Sequence, residues 1–263
     1  MILSPPNPVA FEVFGVDIYW YGIILAFAIL LGAYVADLVY RKFYLQNNEM
    51  DLLLDFIPWL ILVGFLGARF YYCVVNFDYY SAHVGEILNF RQGGLSIHGM
   101  LIACSLLLVI YSKVKKISFF DFCAPLCVAL PLAQSIGRWG NFFNSEAFGK
   151  PYDGFLKLYI APEFRPNIYS GVEYFHPTFL YEGVFDFLIF VVLFLLLKSG
   201  KFSSMFIVGE YLFLYSAIRI FVEFIRVDSI SFILGVPVAV FVSIIIMLIA
   251  YVLILLAKKN KFR

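Results

Sequence analysis

Charge is what this sequence has least of. Only 14% of its 263 residues are Asp, Glu, Lys or Arg, against about a quarter in soluble domains, and 63% are hydrophobic. That excludes an ordinary soluble domain and makes the chain an integral membrane protein. The net charge of +1 is silent on nucleic acid, and no nucleic-acid partner is expected. Histidine is scarce, with His83, His98 and His176 only. Cysteine occurs four times, at Cys73, Cys104, Cys123 and Cys127, always inside apolar runs. Cys123 and Cys127 share a helix face without a second pair beside them, which favours buried small apolar residues over disulfides or a metal site. No metal cluster or nucleotide loop appears, so no metal or cofactor is expected. No internal repeat is visible, which weakens an inverted-repeat transporter. The opening MILSPPNPVAFEV lacks a basic stretch followed by an apolar core, so no cleavable signal peptide is expected.

Long apolar runs are what the chain has. A helix crosses a bilayer with roughly 20 mostly apolar residues. Seven runs qualify, at about 18–40, 52–75, 95–112, 118–136, 178–197, 205–225 and 232–257. The second and sixth carry charges within them: Asp55, Arg69, Glu210, Arg219 and Glu223. Eleven of the nineteen basic residues follow spans 1, 3, 5 and 7, all on one side of a seven-span arrangement. The positive-inside rule makes that side cytoplasmic, with the N-terminus outside and the C-terminus inside. The expected fold is therefore an all-α polytopic membrane protein of seven transmembrane helices. Residues 1–263 form a single membrane domain, with a small periplasmic head inserted at about 137–177.

The outer side would carry three loops: 76–94, 137–177 and the short turn 226–231. A loop of about 40 residues is far longer than a connector, and such loops are usually functional or separately folded. Its aromatic residues and Pro151, Pro162 and Pro166 suggest a small ordered cap. Where it opens, Gly137–Gly149 reads GRWGNFFNSEAFG, packing Arg138, Asn141, Asn144 and Glu146 among three glycines. These groups bind a phosphate or fix a polar reactant. The stretch reads as a folded-back, non-helical segment, a backbone tolerated at membrane depth where it lines a polar cavity.

Other polar residues stand where they are costly. Tyr211, Tyr215, Arg219 and Glu223 recur every four residues and share a helix face, which Arg226 continues. Two readings fit: an Arg219–Glu223 ion pair holding the bundle together, or an arginine presented to an anionic ligand with Glu223 orienting it. His98 lies in Gly93-Gly94-Leu95-Ser96-Ile97-His98-Gly99, whose glycines permit close backbone approach. It is either structural or a proton-moving group. In His176-Pro177-Thr178-Phe179-Leu180-Tyr181-Glu182, Thr178 reads as a helix N-cap and Glu182 as a mainly structural first-turn acid. Trp20-Tyr21-Gly22 opens span 1 as an interfacial aromatic anchor.

Together these stretches resemble the prolipoprotein diacylglyceryl transferase family of bacteria. The segment from Gly137 to Gly149 looks like that family's signature with every fixed position filled. Tyr21 in Trp-Tyr-Gly, His98 in Gly-Gly-Leu-Ser-Ile-His-Gly, the His176–Glu182 stretch and Arg219-Ile-Phe-Val-Glu223-Phe-Ile-Arg226 are similar to four further blocks, in the family's order. The chain departs at Gln92, where many relatives have an acid, at Val227-Asp228, and at Leu234-Gly235-Val236-Pro237.

The resemblance implies transfer of a diacylglyceryl group from phosphatidylglycerol to the lipobox cysteine thiol of a prolipoprotein, the first step of bacterial lipoprotein maturation. A thioether forms and glycerol phosphate leaves. It implies a multi-pass protein of the bacterial cytoplasmic (inner) membrane with its active site toward the outer face. The lipid bilayer, phosphatidylglycerol and the prolipoprotein signal peptide are then its partners. Arg138 and Arg219 are the candidates for holding the phosphate and stabilising the leaving group. His98 is the candidate base, or else positions the lipid. Tyr21, Asn141, Glu146, Gly149, Tyr215 and Glu223 complete the expected substrate-binding set. The rival class is a lipid-moving protein that uses the same arginines as a headgroup pathway.

Overall fold

The computed structural model describes residues 1–45, 52–90, 93–227, 232–233 and 235–261. In chain order it begins with strands β1 (Ile2–Leu3), β2 (Val9–Val13) and β3 (Val16–Tyr19). Helices α1 (Trp20–Phe43), α2 (Leu52–Val75), the short α3 (Phe77–Ala82), α4 (Ile97–Lys115) and α5 (Phe119–Phe143) follow. Next come β4 (Lys157–Tyr159) and β5 (Tyr174–Phe175), then α6 (Thr178–Lys198) and α7 (Ser204–Glu223). The chain closes with β6 (Phe232–Ile233), β7 (Val236–Pro237) and α8 (Val238–Lys261). Among the described residues every long helix, all but α3, is apolar enough to span a membrane, which makes seven. The all-α, seven-span class expected from composition is the one observed.

The largest boundary difference is in α5. It continues through Phe143 rather than stopping at 136, so Gly137–Phe143 is helical and the polar loop opens at Asn144. Isolated glycines lower helix propensity in water, but in membrane helices they serve close packing instead.

Within the single membrane domain expected, two compact units can be distinguished: Met1–Ala36 with Ala124–Arg263, and Asp37–Cys123. In the first unit, small residues set the helix contacts. A methyl group on Gly32 of α1 would stand 2.9 Å from the Ala133 Cβ of α5. Ser135 Oγ of α5 donates to the Gly183 carbonyl of α6 at 2.7 Å. Gly209 of α7 lies against Ala250, Leu253 and Ile254 of α8. Lipid is as apolar as a leucine face, so spans associate by such close approach and by hydrogen bonds. The segment after α5 folds over its own core of Phe148, Leu158, Ile160, Phe175 and Phe179. There β1 pairs in parallel with β4, which pairs antiparallel with β5.

In the second unit α2 and α4 meet through glycines. A methyl on Gly67 would be 2.3 Å from the Ala103 Cβ, and one on Gly99 would be 2.3 Å from the Gly67 carbonyl oxygen. Phe56, Tyr111 and Phe122 form an aromatic cluster beneath them, with centroids 4.6–5.4 Å apart. Among the described residues, the four cysteines form no disulfide.

Candidate active site

The site in the first unit is built around the start of α6. Pro177 holds its N-cap position without a side-chain cap, so Thr178 is not the cap expected from sequence. Thr178 is the first helical residue, and its hydroxyl instead donates to the Ala147 carbonyl across the loop. One turn on, Glu182 is far more than a first-turn acid. Its Oε2 lies 2.7 Å from Arg138 Nη2 and 3.8 Å from Arg219 Nη1, while Oε1 lies 3.3 Å from Arg226 Nη1. A further turn along, Asp186 Oδ2 is 3.5 Å from Arg138 Nε. Glu223 Oε2 is 2.7 Å from Arg219 Nη2. The Arg219–Glu223 pair read from the four-residue spacing is therefore formed, but as one edge of a larger cluster.

Burial gives the cluster a direction. The carboxylate side chains of Glu182, Asp186 and Glu223 are 1–3% exposed, whereas the guanidinium side chains of Arg138 and Arg219 are 19% and 21% exposed. The acids stand behind and the arginines in front. A guanidinium carries five N–H donors in a fixed fork. The carboxylates use some of them and set the plane of each. Two such forks suit a phosphate, which accepts parallel charge-assisted hydrogen bonds.

The loop after α5 supplies a second wall. Glu146 N–H donates to the Asn141 carbonyl at 3.0 Å and Ser145 N–H to that of Phe142 at 3.1 Å. This is a Schellman ending whose left-handed position, normally glycine, is filled by Ser145 at φ 54°. Ala147, at φ 56°, is left-handed too. Non-glycine residues in that region cost about 1–2 kcal/mol each, and such strain concentrates at functional sites. The turn brings Glu146 Oε1 to 2.8 Å from Asn141 Nδ2 and 3.5 Å from Asn144 Nδ2. The Asn141–Asn144–Glu146 grouping is thus formed, while Arg138 turns instead to Glu182 and Asp186; the stretch is a helix end with a tight cap, not the folded-back, non-helical segment expected.

Gly149 is required for space. A Cβ there would come within 2.7 Å of His176 Cβ and 2.9 Å of both Ile225 and Thr178. Its N–H donates to the His176 carbonyl at 2.9 Å, and the next N–H, of Lys150, to that of Ile225 at 2.8 Å. Gly149 therefore joins the loop, the start of α6 and the end of α7. Gly140 leaves room for Tyr21, whose ring would be 2.7 Å from an added methyl. Tyr21 is accordingly more than an interfacial anchor: it packs on α5 at Gly140, two residues from Arg138. Tyr215 stacks on Tyr211 at 5.9 Å, one turn before Arg219 on α7. His176 stacks on Tyr152 at 3.9 Å and lies 3.3 Å from the Tyr181 hydroxyl, and burial lowers its imidazole pKa.

His98 belongs to the second unit. It lies in the first turn of α4, exposed, its ring centroid 6.2 Å from that of Tyr71. The segment leading to it is held by Arg69. That side chain is 3% exposed and donates to the carbonyls of Glu86, Ile87, Asn89, Gly93 and Gly94 at 2.7–3.2 Å. Of the departures, Gln92, Asp228 and Leu234 lie outside the described residues.

Sequence reasoning missed Asp186, saw Arg69 only as a charge within a span, and undervalued Glu182 and Arg226. Glu182 and Asp186 are two acids one turn apart in an otherwise apolar span, and the cost of charge at membrane depth was the available signal.

Seven spans and an arginine cluster backed by buried carboxylates define a multi-pass membrane protein with fixed cations in its helical bundle. The chain belongs to the prolipoprotein diacylglyceryl transferase family, whose sequence model matches residues 8–256. Among its relatives, the phosphatidylglycerol–prolipoprotein diacylglyceryl transferase of Finegoldia magna is 38% identical over 252 residues, covering 96% of each chain. Its counterpart in Staphylococcus aureus is 40% identical over 250 residues, covering 94% of this chain and 88% of the relative. That of Trichormus variabilis is 37% identical over 235 residues, covering 87% and 82%.

Proposed function

We propose that this membrane protein transfers the diacylglyceryl group of phosphatidylglycerol to the lipobox cysteine of a prolipoprotein. The cysteine sulfur attacks the lipid glycerol carbon that bears the phosphate ester. The C–O bond to phosphate breaks, a C–S thioether forms, and glycerol phosphate departs with the bonding pair. The thiol proton passes to a base. The observation that carries this reading is the placement of Arg138 and Arg219, on separate helices, over the one carboxylate Glu182.

Phosphodiester becomes phosphomonoester in this step, so negative charge grows on the leaving group. Arg138 and Arg219 are oriented in advance by Glu182, Asp186 and Glu223, and so stabilise that charge without reorganising. Arg226 adds a third cation through Glu182. Tyr21, Asn141, Glu146 and Tyr215 line the substrate's surroundings, and Gly149 holds the loop in place. A free thiol has a pKa near ~8.5, so at neutral pH it needs a base or a cationic setting. His98 is the base we assign. The distribution of Lys and Arg supports a bacterial inner-membrane protein whose site opens toward the outer face. The family match favours this chemistry over passive lipid movement.

The test is direct. Purified protein is incubated with labelled phosphatidylglycerol and a lipobox peptide. The expected product is a thioether-linked lipid on the peptide cysteine, absent when that cysteine is replaced by serine. No labelled peptide, under conditions where the S. aureus relative works, sinks the reading.

A further inference from the structure

The β2–β3 hairpin has two chemically different faces. Its register pairs Phe11 with Ile18, Glu12 with Asp17, and Val13 with Val16. Residues directly opposite in an antiparallel pair project to the same side, and successive residues alternate. One face is therefore Phe11, Val13, Val16 and Ile18, and the other carries Glu12 and Asp17. At the tip, Phe14 sits at φ 50° beside Gly15 and is 101% exposed. Phe11, Val13 and Val16 are 53%, 41% and 42% exposed. The two strands form a sheet of their own.

That arrangement is unsuited to water on both sides. A lone two-stranded hairpin is marginal in water, and an apolar face of this kind calls for a cover. Chain continuity supplies one. Tyr19, the last residue of β3, is followed directly by Trp20, the first residue of the membrane span α1. The Trp20 N–H also donates to the Pro8 carbonyl at 3.0 Å, closing the base of the hairpin onto the helix start. The hairpin's five-residue strand spans on the order of 15 Å, so it stays close to the membrane surface where α1 begins.

We propose that this hairpin is an interfacial anchor. Phe11, Val13, Phe14 and Val16 enter the boundary between headgroups and acyl chains, and Glu12 and Asp17 face water. Amphipathic elements tethered to a bilayer settle this way, with aromatic residues at the headgroup level. The polar face agrees: Glu12 and Asp17 are like charges set opposite each other, a pairing that only solvent relieves. The inference needs α1 to span the membrane and is independent of the transfer chemistry.

The test reads position, not turnover. Phe14→Trp and Glu12→Trp proteins are reconstituted in nanodiscs, with nitroxide-labelled phospholipid as a membrane quencher and iodide as an aqueous one. Subtracting the wild-type signal removes Trp20, Trp59 and Trp139. The expected Phe14→Trp emission is blue-shifted, quenched by the labelled lipid and shielded from iodide, whereas Glu12→Trp shows the reverse. Should Phe14→Trp perturb the hairpin, Val13→Trp reports the same face. The proposal fails if the apolar-face tryptophan is open to iodide and untouched by lipid, or if both faces are lipid-quenched alike. It fails too if that tryptophan is shielded from both quenchers, which would mean that protein covers it.

Discussion

Glu182 Oε2 sits 2.7 Å from Arg138 Nη2, and the same oxygen is 3.8 Å from Arg219 Nη1. One buried carboxylate thus orients two arginines from different helices, while its other oxygen takes Arg226 at 3.3 Å. A first-turn acid that only complements a helix dipole contributes about 0.3–1 kcal/mol. Breaking a buried pair by removing one partner costs about 3–5 kcal/mol. Glu182→Gln therefore destabilises the protein by the larger amount, seen as lower thermal stability in detergent, and weakens binding of phosphatidylglycerol. A change within the smaller range would return Glu182 to a helix-dipole role.

Arg138→Lys separates charge from geometry. Lysine keeps the cation but loses the planar fork that meets Glu182 and Asp186 together and that the proposed chemistry needs for the phosphate. Turnover falls by ~10²–10³-fold, the size of removing one donor that stabilises a developing oxyanion. The labelled-lipid assay measures it, with membrane insertion checked alongside. Near-normal turnover would leave Arg138 structural.

Two glycines of one motif part company. Gly149→Ala puts a methyl within 2.7 Å of His176 Cβ, and the crowding costs ~1–3 kcal/mol. Gly137→Ala meets nothing within 4 Å, in a helix that alanine favours, and leaves the melting temperature unchanged or slightly higher. Equal effects of the two in thermal unfolding would contradict the packing seen around Gly149.

Arg69→Lys exchanges five donors for three and loses the fan of bonds to the carbonyls between Glu86 and Gly94. Leaving those acceptors unmet costs ~1–3 kcal/mol locally. Hydrogen exchange of residues 84–90 and 93–96 should accelerate while that of α7 and α8 stays as in the wild type.

His98→Gln tests the base. If His98 takes the thiol proton, the variant is slow at neutral pH and recovers as pH rises through ~8.5, where the thiolate forms unaided. A pH profile parallel to the wild type's would remove His98 from proton transfer.

Much of this was legible residue by residue. The seven spans follow from apolar run length. Tyr211, Tyr215, Arg219 and Glu223 announce their shared face by a spacing of four, and stacking of the two tyrosines and the Arg219–Glu223 pair realise it. Asn141 and Glu146 also meet as their proximity suggests. The end of α5 was not legible, because polar residues and glycines usually end a helix. Here Gly140 instead makes room for Tyr21, and the Schellman turn at Ser145 satisfies the terminal carbonyls.

Run length and local spacing by themselves determined the membrane class, the number of spans and the shared face of Tyr211, Tyr215, Arg219 and Glu223, because those signals lie within one helix. Only the tertiary structure decided that Glu182 and Asp186 stand behind Arg138, and that Arg69 gathers a loop rather than facing a ligand. Those roles depend on which side chains meet across helices distant in sequence. In a low-dielectric interior such meetings decide whether a charge is a liability or a fixed part of a site.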